Sequence, residues 1–95
     1  MSIPTTLKPY FQEYILEDLQ IRRDADLIIQ RTLEFGNWIE LRWLFQTYRR
    51  ERIRCFLREH GVRWLNSVTF NYWRKLLGVR QWKAAPFEKI MNWPP

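Results

Sequence analysis

Asn37-Trp38-Ile39-Glu40-Leu41-Arg42-Trp43-Leu44-Phe45-Gln46-Thr47-Tyr48 decides the fold class. Asn37 and Glu40 form a capping box. The amide side chain accepts from the Glu40 N–H, and the carboxylate reaches back to the Asn37 N–H. Trp38, Leu41, Leu44, Phe45 and Tyr48 then recur at steps of three, three, one and three. That spacing makes one apolar face of a helix. A strand needs apolar residues at alternate positions, and no run of the chain sustains that alternation.

Upstream, residues 22–35 read as a first helix. Asp24 and Asp26 suit the positive end of its dipole, and Ala25, Ile28, Ile29, Thr32 and Leu33 fall at helical spacing. Gly36 is placed to take the left-handed conformation that ends it. Residues 15–21 are irregular or a single helical turn. Residues 1–14 form an aromatic arm, with Leu7, Phe11 and Tyr14 as its anchors.

Downstream, residues 51–60 predict a third helix with Ile53, Phe56 and Leu57 inward and Gly61 as its stop. No strong breaker separates it from the second, so residues 38–60 are one kinked helix or two. Residues 61–66 read as a loop. Ser67 caps a fourth helix that buries Phe70, Trp73, Leu76 and Leu77 and ends at Gly78. A short last helix starts at Pro86 and runs through Phe87, Ile90 and Met91, and residues 92–95 form an irregular tail. The expectation is a single all-α domain over residues 1–95, a small bundle of four to five helices.

Size limits what such a bundle can hide. A chain of 95 residues buries roughly 60–65% of the surface that its unfolded form exposes. Six tryptophans exceed what a small core absorbs, so at least one is expected on a contact surface. No apolar run approaches the length of a membrane span, and the start of the chain lacks a signal peptide's pattern. A single cysteine, Cys55, makes no internal disulfide, so a cytoplasmic location is expected.

Catalytic chemistry finds little support. One Cys and one His, Cys55 and His60, fall on different faces of one helix and are too few for a zinc site. Cys55 reads as structural, and His60 as a side chain easing the end of its helix. Asp24 and Asp26 diverge on a helix, and Glu17 and Asp18 are adjacent, so neither pair resembles an acid–base dyad. Three glycines, each following a helix, do not build a phosphate-cradling loop. No catalytic residue, cofactor or metal is expected.

Charge is more informative. Residues 1–47 hold five basic and seven acidic side chains, whereas residues 48–95 hold eleven basic and three acidic. Arg50, Arg54 and Arg58 stand at steps of four along the third helix, flanked by Arg49 and Arg52. Arg74 and Lys75 lie on the fourth. Such a stripe suits a nucleic-acid backbone or an acidic protein surface. It is equally an ordinary solvated face, partly neutralised by Glu51 and Glu59. The third and fourth helices also outline a helix-turn-helix, with Asn71 and Arg74 reading bases. Residues 61–66 are long for its turn.

One run of residues resembles a known family. It is Asp26-Leu27-Ile28-Ile29-Gln30-Arg31-Thr32-Leu33-Glu34-Phe35-Gly36, followed by Trp38, Leu41-Arg42-Trp43-Leu44 and Tyr48. Leu7-Lys8-Pro9-Tyr10-Phe11 and Asn71-Tyr72-Trp73-Arg74-Lys75-Leu76-Leu77 fit as well. Together they are similar to a family of small uncharacterised bacterial helical proteins, often encoded beside nucleotidyltransferase-like toxins of the AbiEii/AbiGii kind. The resemblance spans most of residues 7–77. It implies an antitoxin-like or accessory component of a toxin–antitoxin or phage-defence pair, with the toxin as partner and no catalytic residue. The alternative from the charge pattern is a DNA-binding regulator. A homodimer through exposed tryptophans is a third arrangement.

Overall fold

The computed structural model describes residues 3–83. A 3-10 helix over Thr5–Phe11 and a 3-10 turn at Leu16–Asp18 lead into α1 (Ala25–Phe35) and α2 (Trp38–Thr47). Next come α3 (Arg50–Phe56), a π turn (Leu57–Gly61), α4 (Val62–Trp64) and α5 (Ser67–Leu76). No strand occurs among the described residues, and the expected all-α class holds. The helix expected from Pro86 and the tail 92–95 lie outside the described residues.

The helix α1 is the hub, packed against the N-terminal 3-10 helix, α2, α3 and α5. Its buried side chains are Ala25, Ile28, Ile29, Thr32 and Leu33, the set that the spacing indicates. It starts later than expected, at Ala25. The Asp24 carboxylate is turned back to accept from the Gln20 N–H (2.8 Å) and from Arg23. Arg31 fastens the N-terminal segment to α1. Its Nη1 donates to Tyr10 O (2.6 Å), its guanidinium forks onto Glu13, and it lies over the Phe11 ring. Leu7 and Phe11 are buried as expected, but Tyr14 is exposed.

Gly36 ends α1 without the left-handed turn. Its φ of −66° and ψ of 146° are extended. Glycine is required there for another reason, because a Cβ would sit 2.5 Å from Thr32 O. Asn37 then opens α2 with both halves of the capping box, at 2.9 Å each.

The second and third helices are separate. Tyr48 and Arg49 are extended, although neither Gly nor Pro interrupts the run. The break is tertiary. The buried Tyr48 ring carries its hydroxyl to Ile21 O (2.7 Å), which α-helical continuation would not allow. Burial pushes that phenol up to about 12.

Gly61, expected as a stop, is helical (φ −56°) and the chain runs through it into α4. A Cβ there would lie 2.6 Å from the Phe70 ring. The π turn opens the helix at this point, and α5 packs against it. Only Leu65 and Asn66 then connect α4 to α5, not a loop over 61–66. Asn66, rather than Ser67, is the cap, accepting from the Val68 N–H (2.8 Å).

Gly78 closes α5 as expected, with φ 72°. Val79 N donates to Arg74 O (2.8 Å) and Gly78 N to Lys75 O (3.3 Å), and Val79 is buried. This is the paired-bond left-handed helix end. Residues 79–83 then turn back along the π turn, where Lys83 N reaches Arg58 O (2.8 Å) and Trp82 meets Phe70 edge-on.

Candidate functional site

The arginines named from the sequence separate into two kinds. Arg58 Nη2 and Arg54 Nη1 both bind the Glu51 carboxylate, at 2.8 and 3.1 Å. The Arg58 hydrogen bond, ahead of Arg54, holds that carboxyl below the usual range. Arg54 also reaches Gly78 O (3.5 Å), and its Nε is buried. Arg52 binds Asp26 (2.7 Å). Arg50, by contrast, is exposed and has no partner among the described residues. The expected continuous stripe therefore does not exist as free charge.

The residues on α5 divide likewise. Arg74 Nε is held by Asn71 Oδ1 (2.9 Å), and its guanidinium lies 4.7 Å from the Trp82 ring centre. The two side chains proposed to read bases thus bind each other. Lys75 is exposed and unpartnered among the described residues. The shorter α4–α5 connection removes the objection of loop length to a helix-turn-helix, while the Asn71–Arg74 pair occupies its reading side chains.

His60 also differs from its expected place. It lies inside the helical run, stacked on Trp64 at 4.6 Å, with Nε2 3.5 Å from Asp26 Oδ2. Cys55 is half-buried. Among the described residues, no three His, Cys, Asp or Glu side chains could hold a metal ion. No helix among them is long and apolar enough to cross a membrane.

The feature that the charge pattern did not reveal is a groove between α2 and α5, about 590 Å³ in volume. Leu41, Phe45, Trp73 and Leu77 form its inner wall. Trp38, Tyr72 and Leu76 stand around it, 74%, 59% and 56% exposed. Sequence reading put Trp38 and Leu76 on buried faces, and both are at the surface. Each continues the apolar face of its helix, and the two faces together are wider than the core beneath them. The rim carries Arg42, Gln46 and Arg50, and neither arginine has a partner among the described residues. So Arg50 belongs to this groove rather than to Arg54 and Arg58.

Chemically, the groove offers an apolar trough edged by positive charge. Exposed Trp and Tyr beside unpaired Arg are the residue types that dominate binding energy at protein interfaces. A model of a family of unknown function, DUF6922, matches residues 6–57. The chain belongs to that family. The DUF6922 match runs from the N-terminal 3-10 helix to the first residue of the π turn. It therefore includes one wall of the groove, Trp38, Arg42, Phe45 and Arg50, and ends before Tyr72 and Leu76. DUF6922 carries no assigned function, in keeping with the uncharacterised family that the motifs resemble. No curated protein matches the chain, and no solved structure does.

Proposed function

We propose that this DUF6922 protein is a non-catalytic, antitoxin-like binding protein whose α2–α5 groove takes an amphipathic, acidic segment of a protein partner. One observation carries the reading. Three large apolar side chains, Trp38, Tyr72 and Leu76, are exposed together over one groove, with Arg42 and Arg50, unpaired among the described residues, on its rim. Contiguous exposed apolar surface on a small chain marks an interaction site. The two arginines select a segment with carboxylates beside its apolar anchors. The family resemblance makes a nucleotidyltransferase-like toxin the first partner to try.

The test is co-expression with the product of the adjacent gene. Trp38→Ala should weaken capture about 30-fold, the scale of a hot-spot residue, while leaving the thermal midpoint in place. Capture of wild type and Trp38→Ala to equal extent would remove the groove from the interface. Absence of any complex, with toxicity unrelieved, would remove the toxin. A dimer that light scattering finds in wild type and not in Trp38→Ala would make a second copy the occupant.

Arg42, Arg49, Arg50 and Lys75, exposed and unpaired among the described residues, support duplex DNA as the second reading. Phosphate binding must weaken steeply with salt. An anisotropy titration without salt-dependent binding would end it.

A further inference from the structure

The α2–α3 junction also borders a hollow of about 370 Å³ that shares no lining residue with the groove. Arg22, Arg49 and Arg52 line it together with Ile21, Ala25 and Tyr48. Arg22 and Arg49 are exposed and have no partner among the described residues. Arg52 spends one nitrogen, Nη2, on Asp26 Oδ1 at 2.7 Å and has the rest of its fork to offer. Nothing in the groove reading uses these three side chains.

The charge balance of the hollow is specific. Among the described residues, three guanidiniums line the hollow, and Arg52 already engages a carboxylate, Asp26. The nearby Asp24 is neutralised by Arg23 at 3.0 Å. Among the described residues a surplus of two positive charges is left, which a monoanion such as a carboxylate or a phosphodiester does not balance. A phosphate monoester does, because its second proton leaves at about pH 6 and it presents three acceptor oxygens. Guanidinium forks match those oxygens two at a time. The Tyr48 hydroxyl donates to Ile21 O at 2.7 Å and so ties together the chain neighbours of Arg49 and Arg22.

We infer that this hollow binds a dianionic phosphoryl group, held by Arg22, Arg49 and Arg52. Ile21, Ala25 and Tyr48 give it apolar wall beyond the arginines, on which an organic substituent packs.

The test uses the full chain with labelled arginine side chains, titrated in low salt at about pH 7.5, where a monoester is a dianion. Inorganic phosphate, phenyl phosphate and dimethyl phosphate are the probes. Phosphate and phenyl phosphate should give saturable Nε–H shifts at Arg22, Arg49 and Arg52. Dimethyl phosphate, a monoanion, should bind about tenfold more weakly or worse. Tighter binding of phenyl phosphate than of phosphate assigns an organic monoester, and equal affinity assigns free phosphate; both establish the site.

Arg22→Ala and Arg49→Ala should each weaken binding about tenfold, the loss of one charge-assisted contact. Both side chains are exposed and unpaired among the described residues, so the thermal midpoint should hold. Arg63→Ala removes the same charge elsewhere and should act within about twofold. No saturable shift at the three arginines would overturn the assignment. So would a diester binding as tightly as a monoester, or an Arg63→Ala loss equal to that of Arg49→Ala.

Discussion

Among the described residues, Arg49 and Arg50 stand without partners where α3 begins, whereas Arg54 and Arg58, one and two turns on, share the single carboxylate of Glu51. The same residue type, repeated at helical spacing, has two physical fates. At the start of α3, where Tyr48 and Arg49 are extended, Arg50 and Arg49 line two different hollows, and neither pairs with an acid among the described residues. Farther along, Arg54 and Arg58 both bind Glu51 and Arg54 also reaches Gly78 O, so that their charge is already taken up by neighbours. A basic stripe is thus not a unit of function; what decides its use is whether acids on neighbouring elements have already claimed it. The contrast predicts that changes at the far end of the helical run 50–64 act on stability, and changes at its start act on binding.

Gly61→Val is the largest expected perturbation. Its Cβ would enter the Phe70 ring at 2.6 Å, and that ring is held in place by Trp82. Overpacking of this kind costs about 2–3 kcal/mol, part of it offset by the helical propensity that valine gains over glycine. Urea denaturation should show it, while phosphate binding by the folded fraction stays unchanged. Unaltered stability would mean that α5 slides easily on the π turn, and that the far end of the run is not structural in the sense drawn here.

Tyr48→Phe tests the other end. It removes the hydrogen bond to Ile21 O, at a cost of about 1 kcal/mol. The pH dependence has a defined sign. The folded phenol is pushed up to about 12 by burial, while an unfolded one titrates at about 10. Only the unfolded chain ionises in that window, so wild-type stability falls as pH rises through it, and Tyr48→Phe should flatten the fall. Phosphate affinity should drop with it if Tyr48 sets the spacing of Arg22 and Arg49. Stability lost with affinity intact would separate the break in the helix from the hollow beside it.

What was legible in advance was local. The buried face of α1, the Asn37–Glu40 box and the helix end at Gly78 each depend on residues within one or two turns, although the left-handed turn was expected at Gly36 and occurs at Gly78. Glu51 was also readable as a partial neutraliser of Arg54 and Arg58. The features that escaped are tertiary. Nothing near Tyr48 in sequence says that its hydroxyl meets Ile21, so the break between α2 and α3 has no local mark. Gly61 looks like a helix stop because its reason, the Phe70 ring, lies in another helix. Trp38 and Leu76 carry the periodicity of core residues, and periodicity does not say whether the chain itself supplies the cover. The available signal was the surplus of tryptophan, which places one on a contact surface without saying which.

Glu51→Gln has the smallest expected effect on stability and bears most directly on the contrast. Glu51 is exposed, and surface pairs of this kind contribute little, so the unfolding midpoint should barely move. Its removal frees Arg54 and Arg58 together. If pairing with Glu51 is what withholds them from partners, affinity for duplex DNA should rise, and the salt dependence should steepen by about 1–2 in log–log slope as new phosphate contacts form. Glu17→Gln makes the same change of net charge on an exposed, unpaired side chain and should leave that slope alone. In the wild-type background, Arg54→Ala with Arg58→Ala should then change binding less than Arg42→Ala with Arg50→Ala. Equal losses from the two pairs would show that Glu51 screens nothing, and that the basic residues act as the single stripe their spacing suggests.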